Sequence, residues 1–263
     1  MADRTYTTIA VEHPAERVAR IVLDNPPVNA LGRALVGELG EAVRTVGADR
    51  DVSCVLLAAR GRAFCAGADL KERERLSDGE AQAAVRAIGE AASALAAVPV
   101  PVIAVIQGAA LGGGFELALA CDMRLAAAGA KVGLPECSLA IIPGAGGTQR
   151  LARLVGPARA KLWIFSARVA PAEQAREAGL VDEVVEPDRL EARSLELAGE
   201  IARCGPLALR AAKRAIDAGL EAPRLAEALE VERAAYATIV PTEDRREALR
   251  AFREKRPPRF GGR

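Results

Sequence analysis

Polar and apolar residues alternate over positions 6–12 and 17–23, on either side of HPAE (13–16), and this period of two predicts a β-hairpin. NPPVNAL (25–31) follows, a loop made rigid by its two prolines. Leu31, Leu35, Leu39, Val43 and Val46 then recur at helical spacing, and Val85, Ile88, Ala92 and Leu95 mark a second amphipathic helix that VPVP ends. SCVLLAA (53–59) and VIAVIQG (102–108) are short unbroken apolar runs, as carried by strands buried on both faces. MRLAAA and KVGL are further short strand candidates. From about residue 187 the period becomes helical throughout, over 188–204, 206–219, 223–239 and 241–255, with CGP, EAP and VP as breaks. The pattern predicts an α/β chain: strand-strand-helix repeats over 1–190 that carry the functional site, then a helical region over 191–263. No linker or low-complexity tract separates them.

Composition narrows the class more than the fold. The 263 residues are 51% apolar and 27% charged, the balance of a soluble globular protein. Thirty-six basic against 35 acidic residues leave a net charge of +1, which supplies no general electrostatic drive toward nucleic acid. No uncharged apolar run approaches the ~20 residues needed to span a bilayer. The first residues carry neither a signal-peptide core nor an arginine-rich presequence, so a cytoplasmic setting without membrane partners is expected. Five scattered cysteines without a CxxC pair argue against a zinc site or disulfide framework. The single histidine, His13, is expected in a turn before Pro14, and no GxSxG occurs. Acid–base chemistry must therefore rest on carboxylates.

One stretch concentrates that chemistry. LGGGFELALACD (111–122) sets three glycines before an apolar helical run that contains one glutamate, Glu116. A strand leading through glycines into a helix presents N–H groups without intrahelical acceptors, in a partly positive field. GxGxxG fails here, since the third position is Leu117 after Gly112 and Gly114, and Gln149 after Gly144 and Gly146; no GxxxxGK[ST] is present. The site suits an oxygen that becomes negative during reaction. Glu116 lies three residues after Gly113, on nearly the same helical face and about 4.5 Å further along the axis. A purely structural hydrogen bond from Glu116, with glycines for close packing, remains the rival at this point. GRAFCAGADL (61–70) is a second small-residue loop after a strand, able to offer another N–H, and Glu136 follows a proline in GLPECSLAIIPGAGGTQRL (133–151). Two donors and two carboxylates suit proton transfer beside a carbonyl stabilised as an enolate.

FCAGADL, PVIAVIQGAALGGGFELALACD and IIPGAGGTQRL, in this order and spacing, resemble the enoyl-CoA hydratase/isomerase (crotonase) superfamily over essentially the whole chain. The resemblance implies a spiral of strand-strand-helix turns with a helical C-terminal region, assembled as a homotrimer or a dimer of trimers with that region at the interface. It implies oxyanion donors at the N–H groups of Ala68 and Gly113, and Glu116 and Glu136 as paired acids. Both acids together fit the addition of water across a double bond. Substrate-binding positions by the same analogy are Val28, Ala30, Ala66, Ala68, Asp69, Leu70, Lys71, Gly112 and Gly144, with the PPVNAL turn (26–31) along the pantetheine arm or, as the rival reading, a rigid structural loop. Asp69 also fits the N-cap of a short helix. No metal or redox cofactor is implied, because coenzyme A arrives as part of the substrate.

Within the superfamily, CAGADLKERERLS, LALACDMRLAAAGAKVGL, FSARV and FREKRPPRF resemble the methylglutaconyl-CoA hydratases. Their substrate bears a distal carboxylate, for which Lys71, Arg73 and Arg75 are candidates. A generic short-chain enoyl-CoA hydratase is the alternative. An RNA-binding protein with a vestigial pocket is the alternative of another class, but Arg33, Arg44 and Arg50 within 31–50 are balanced by Glu38, Glu41 and Asp49, so the basic footprint is missing. The arginines of 243–263 are expected on a solvated helix face or near CoA phosphates. Trp163, Phe165 and Tyr236 are expected in the core or at an interface, and Asp122 as a cap.

Overall fold

The computed structural model describes residues 6–263; residues 1–5 of the stretch read above for leader signals lie outside the described residues. β1 (Ile9–Ala15) and β2 (Val18–Leu23) form the expected hairpin, shifted so that His13 and Pro14 lie within β1 rather than in the turn. The correction has a physical reason. β1 is the edge of its sheet, where a missing N–H costs no ladder bond, and its register shifts between Glu12 and Ala15. His13 is exposed there.

α1 (Arg33–Ala48) buries Leu35, Leu39, Val43 and Val46, the stripe that the spacing predicts. Two strand-strand-helix turns follow: β3 (Cys54–Ala59) and β4 (Ala63–Cys65) with α2 (Leu70–Arg73) and α3 (Asp78–Ala96); then β5 (Val102–Ile106) and β6 (Ala109–Leu111) with α4 (Gly113–Ala120). A third runs through β7 (Met123–Ala127), β8 (Lys131–Gly133), a 3₁₀ turn at Pro135–Leu139, α5 (Gly147–Val155) and α6 (Pro157–Phe165). β9 (Val169–Pro171), α7 (Ala172–Glu177) and β10 (Glu183–Val185) complete the core. The first strand of each of these turns enters a six-stranded sheet, ordered β1-β2-β3-β5-β7-β10, and the second enters a four-stranded sheet, ordered β4-β6-β8-β9. Parallel pairing dominates both, and β5 is buried at every position, which explains its unbroken apolar run.

α8 (Leu190–Ala202) packs on β3, β5 and β7, while α9 (Pro206–Leu220) and α10 (Leu225–Ile239) form a helical pair and α11 (Glu243–Glu254) closes the chain. Asp122 follows the end of α4, whose cap is Cys121, and its part is structural: its Oδ2 accepts from Val102 N and from Lys213 Nζ of α9, both at 2.7 Å. Trp163 is buried, whereas Phe165 and Tyr236 are 72% and 66% exposed. Arg250 and Arg256 of the basic tail pair with Glu247, and Asp244 accepts the N–H groups of Gly261 and Gly262. Among the described residues no helix is long and apolar enough to cross a membrane.

The loop between β2 and α1 is fixed by one buried side chain. Asn29 donates from Nδ2 to the carbonyls of Arg60, Ala63 and Phe64 and accepts Asn25 N at 2.7 Å, so it ties the NPPVNAL loop to β4. Its φ of +53° is a conformation that asparagine tolerates better than most residues. Asn29→Ala should cost roughly 2–3 kcal/mol, chiefly from buried polar groups left without partners. Urea unfolding measures this, and a loss under about 0.5 kcal/mol would remove Asn29 from that role.

Candidate active site

β6 enters α4 through Gly112, whose φ of +51° favours glycine and whose N–H bonds Gly133 O at 2.9 Å. Gly114 answers to packing instead. A Cβ there would lie 2.2 Å from Cys65 O, so only glycine lets the first turn of α4 lie against β4. Leu31 bridges the loop that follows β4: its N–H bonds Gly67 O at 2.8 Å and its carbonyl accepts Asp69 N at 3.3 Å. This leaves the Ala68 N–H on the opposite side of the strand. Among the described residues neither Ala68 N–H nor Gly113 N–H has an acceptor. The two are neighbours, since a Cβ built on Gly113 would stand 3.8 Å from Ala68 N.

Glu116, one turn into α4, is 3% exposed. Its Oε1 accepts Ala145 N at 2.8 Å and Gly147 N at 2.7 Å, at the start of α5. The structural bond and the chemical placement are therefore one arrangement, not rivals. Glu136, in the 3₁₀ turn, is 8% exposed, and its buried Oε2 has no hydrogen-bond partner among the described residues. Burial pushes Glu116 above the usual carboxylate range, against the pull of the two N–H donors. Burial also raises Glu136, to about 7, and the neighbouring Glu116 charge adds to the rise. Each carboxylate thus binds its proton more tightly than a free one does, and the charge of one opposes ionisation of the other.

Both carboxylates, Ala68 and Gly113 line one cleft of about 940 Å³. Val28, Ala30, Ala66, Asp69, Leu70, Lys71 and Gly144 line it as well. Gly112 does not: its backbone is spent on Gly133, and a Cβ there would meet Glu136 Oε1 at 2.9 Å. Asp69 is also the cap of α2, its Oδ1 accepting Lys71 N and Glu72 N. Of the three basic candidates, Lys71 and Arg73 line the cleft and Arg75 does not. Arg73 is half-buried, forms no ion pair among the described residues, and its charge favours the ionised form of both glutamates. Sequence reasoning missed the two N–H groups that hold Glu116. GAGGT before a helix is their signal, because it repeats the glycine-then-helix device of α4.

A raised carboxylate has a definite effect on stability. Folded Glu136 takes its proton near pH 7 and the unfolded side chain near 4.5, so folding binds protons between these values. Stability from this group is full below the unfolded value and is lost as pH rises through 7. Glu136→Gln removes the titration, so its stability relative to wild type should climb between about pH 5 and 8. Denaturant melts at both pH values check this; a pH-independent difference would contradict the raised value.

Residues 14–263 match the enoyl-CoA hydratase/isomerase family. Methylglutaconyl-CoA hydratase, mitochondrial, of Homo sapiens is 47% identical over 239 residues, covering 89% of this chain and 70% of that protein. Enoyl-CoA hydratase domain-containing protein 2, mitochondrial, of Mus musculus is 46% identical over 260 residues, covering 96% and 87%. The crystal structure of enoyl-CoA hydratase from Bacillus anthracis superposes with a TM-score of 0.96 at 44% identity, covering 98% of this chain and 100% of that one. The chain belongs to the enoyl-CoA hydratase/isomerase family and is a hydro-lyase of that class.

Proposed function

We propose that the protein hydrates 3-methylglutaconyl-CoA to 3-hydroxy-3-methylglutaryl-CoA, or runs the reverse dehydration, at the Glu116–Glu136 cleft. In this mechanism the Ala68 and Gly113 N–H groups hold the thioester oxygen and stabilise the enolate that forms as water adds. Glu116 accepts a proton from the water whose oxygen bonds to C3; Glu136 delivers its proton to C2. One carboxylate gains a proton and the other loses one, so the product is substrate plus water, and exchange with solvent resets the pair. Coenzyme A enters with the substrate, and no further cofactor takes part.

The observation that carries the acyl specificity is Arg73. A half-buried guanidinium without an ion-pair partner among the described residues, lining the cleft that holds the acids, suits a substrate with a second carboxylate. Identity to the relatives does not choose, because one named for methylglutaconyl-CoA and one with a general name stand at 47% and 46%. Glu116→Gln and Glu136→Gln should each lower kcat roughly 10²–10⁴-fold. On the wild type, kcat/KM for 3-methylglutaconyl-CoA should exceed that for crotonyl-CoA by roughly 10²-fold or more, because an unpaired cation opposes the shorter substrate. Equal or reversed values return the protein to the general short-chain hydratases; a fully active glutamine variant removes that glutamate from the mechanism.

We also propose a homotrimer or dimer of trimers built on the helical region. Leu220, Leu225, Tyr236 and Phe252 are 77%, 75%, 66% and 83% exposed in the single chain, a density of large apolar groups suited to subunit contact. Light scattering should give three or six times the chain mass of 27.5 kDa, and a monomer at micromolar concentration would refute the assembly.

A further inference from the structure

The turn that holds Glu116 is itself held from behind. Arg150, within α5, folds its side chain back over Gly146: Nη1 donates to Ala145 O at 2.9 Å, and Nη2 to Ser93 Oγ of α3 at 3.2 Å. The contact is close, since a Cβ on Gly146 would lie 2.1 Å from Nη1. On the other side of the same turn, a Cβ on Gly147 would lie 2.9 Å from Glu116 Oε1. One thickness of backbone separates the cation from the carboxylate. Arg150 is half-buried and forms no ion pair among the described residues. The bond to Ala145 O falls on the peptide between the two N–H donors of Glu116, those of Ala145 and Gly147, and the bond to Ser93 anchors the guanidinium to α3.

We propose that Arg150 is a positioning residue for the reaction: it clamps the 145–147 turn so that both N–H groups stay aimed at Glu116 Oε1, and it sets its positive charge behind that turn. The proposal rests on the role of Glu116 as the base in the reaction above. The charged groups that bear on Glu116 are Arg150 on α5, Arg73 on α2 and Glu136 in the 3₁₀ turn. Cys121, at the end of α4, is the other titratable group beside Arg150. Arg73 reaches both carboxylates from the open cleft, whereas Arg150 approaches only through the turn that Glu116 is bonded to. Breaking the clamp both loosens the base and weakens its preference for the charged form.

The test is steady-state kinetics of Arg150→Met and Arg150→Lys in the full chain, on whichever of the two acyl-CoA substrates the wild type turns over faster, from about pH 5.5 to 9. Arg150→Met should lower kcat roughly 10–10²-fold while KM changes less than about threefold, because the loss lies in aim rather than in binding. The acid limb of its kcat profile should move to higher pH, so that the deficit at pH 6 exceeds the deficit at pH 8. Arg150→Lys keeps the charge but cannot span Ala145 and Ser93 together, so its limb should stay in place while kcat recovers only in part. If Arg150→Met does not fold, Arg150→Lys decides alone: lowered kcat on an unmoved limb supports the clamp, and wild-type kcat overturns it. Folded Arg150→Met with wild-type kcat, or with lowered kcat on an unmoved limb, also overturns the proposal. Full activity in Glu116→Gln would instead overturn the reaction itself, so the two failures are distinct.

Discussion

The contact of Gly114 with the carbonyl of Cys65 sets the position of everything chemical in this molecule. The first turn of α4 lies directly on β4 there, at a separation that no side chain survives. Because the turn is pressed onto β4, Gly113 N–H stands beside the loop that carries Ala68, and Glu116 stands one turn deeper along the same helix. A displacement of an ångström at this contact would part the two N–H groups and swing the glutamate away from the turn at 145–147. An unpaired donor on buried Gly113 and a buried carboxylate both cost stability. The interlocked strands and helices around them make that cost bearable, and the cost lies where the substrate will meet it.

The two glutamates share burial but not support. Glu116 has two backbone donors on one oxygen, delivered at the N-terminus of α5, where the helix dipole also favours negative charge. Glu136 has a buried oxygen without a hydrogen-bond partner among the described residues, and a charged neighbour. Burial raises both, the two backbone donors oppose the rise at Glu116, and the neighbouring Glu116 charge adds to it at Glu136. The asymmetry comes from backbone, so no side-chain pattern announces it.

The chain's periodicity carried the large features. The hairpin, α1, the buried runs of β3 and β5 and the four C-terminal helices follow the apolar pattern, because burial on one stripe or on both faces writes itself into sequence. Three-residue strands such as β4, β6 and β9 left no such trace; they are too short for a period and are fixed by pairing with distant partners. His13 and Pro14 were misplaced because a proline that signals a turn in isolation is equally at home on a sheet edge. Ala68, Gly113, Glu116 and Glu136 meet in the cleft as the motifs imply, whereas Gly112 does not line it. Ala145, Gly147 and Arg150 escaped notice because their work is done by main-chain atoms or through them.

The parallel pairing of β4 with β6 has one further effect. Ala68 lies in the loop that leaves β4 and Gly113 opens the helix that follows β6, so the two N–H groups sit on segments that leave adjacent strands of one sheet. Neighbouring strands run about 4.8 Å apart. An oxygen that takes two N–H groups at about 2.9 Å each, along directions near the tetrahedral angle, needs nitrogens about that same distance apart. A fold that stacks its turns by strand pairing thus brings the two donor-bearing segments side by side as they leave the sheet, on the length scale that such an oxygen needs, without any side chain to measure it.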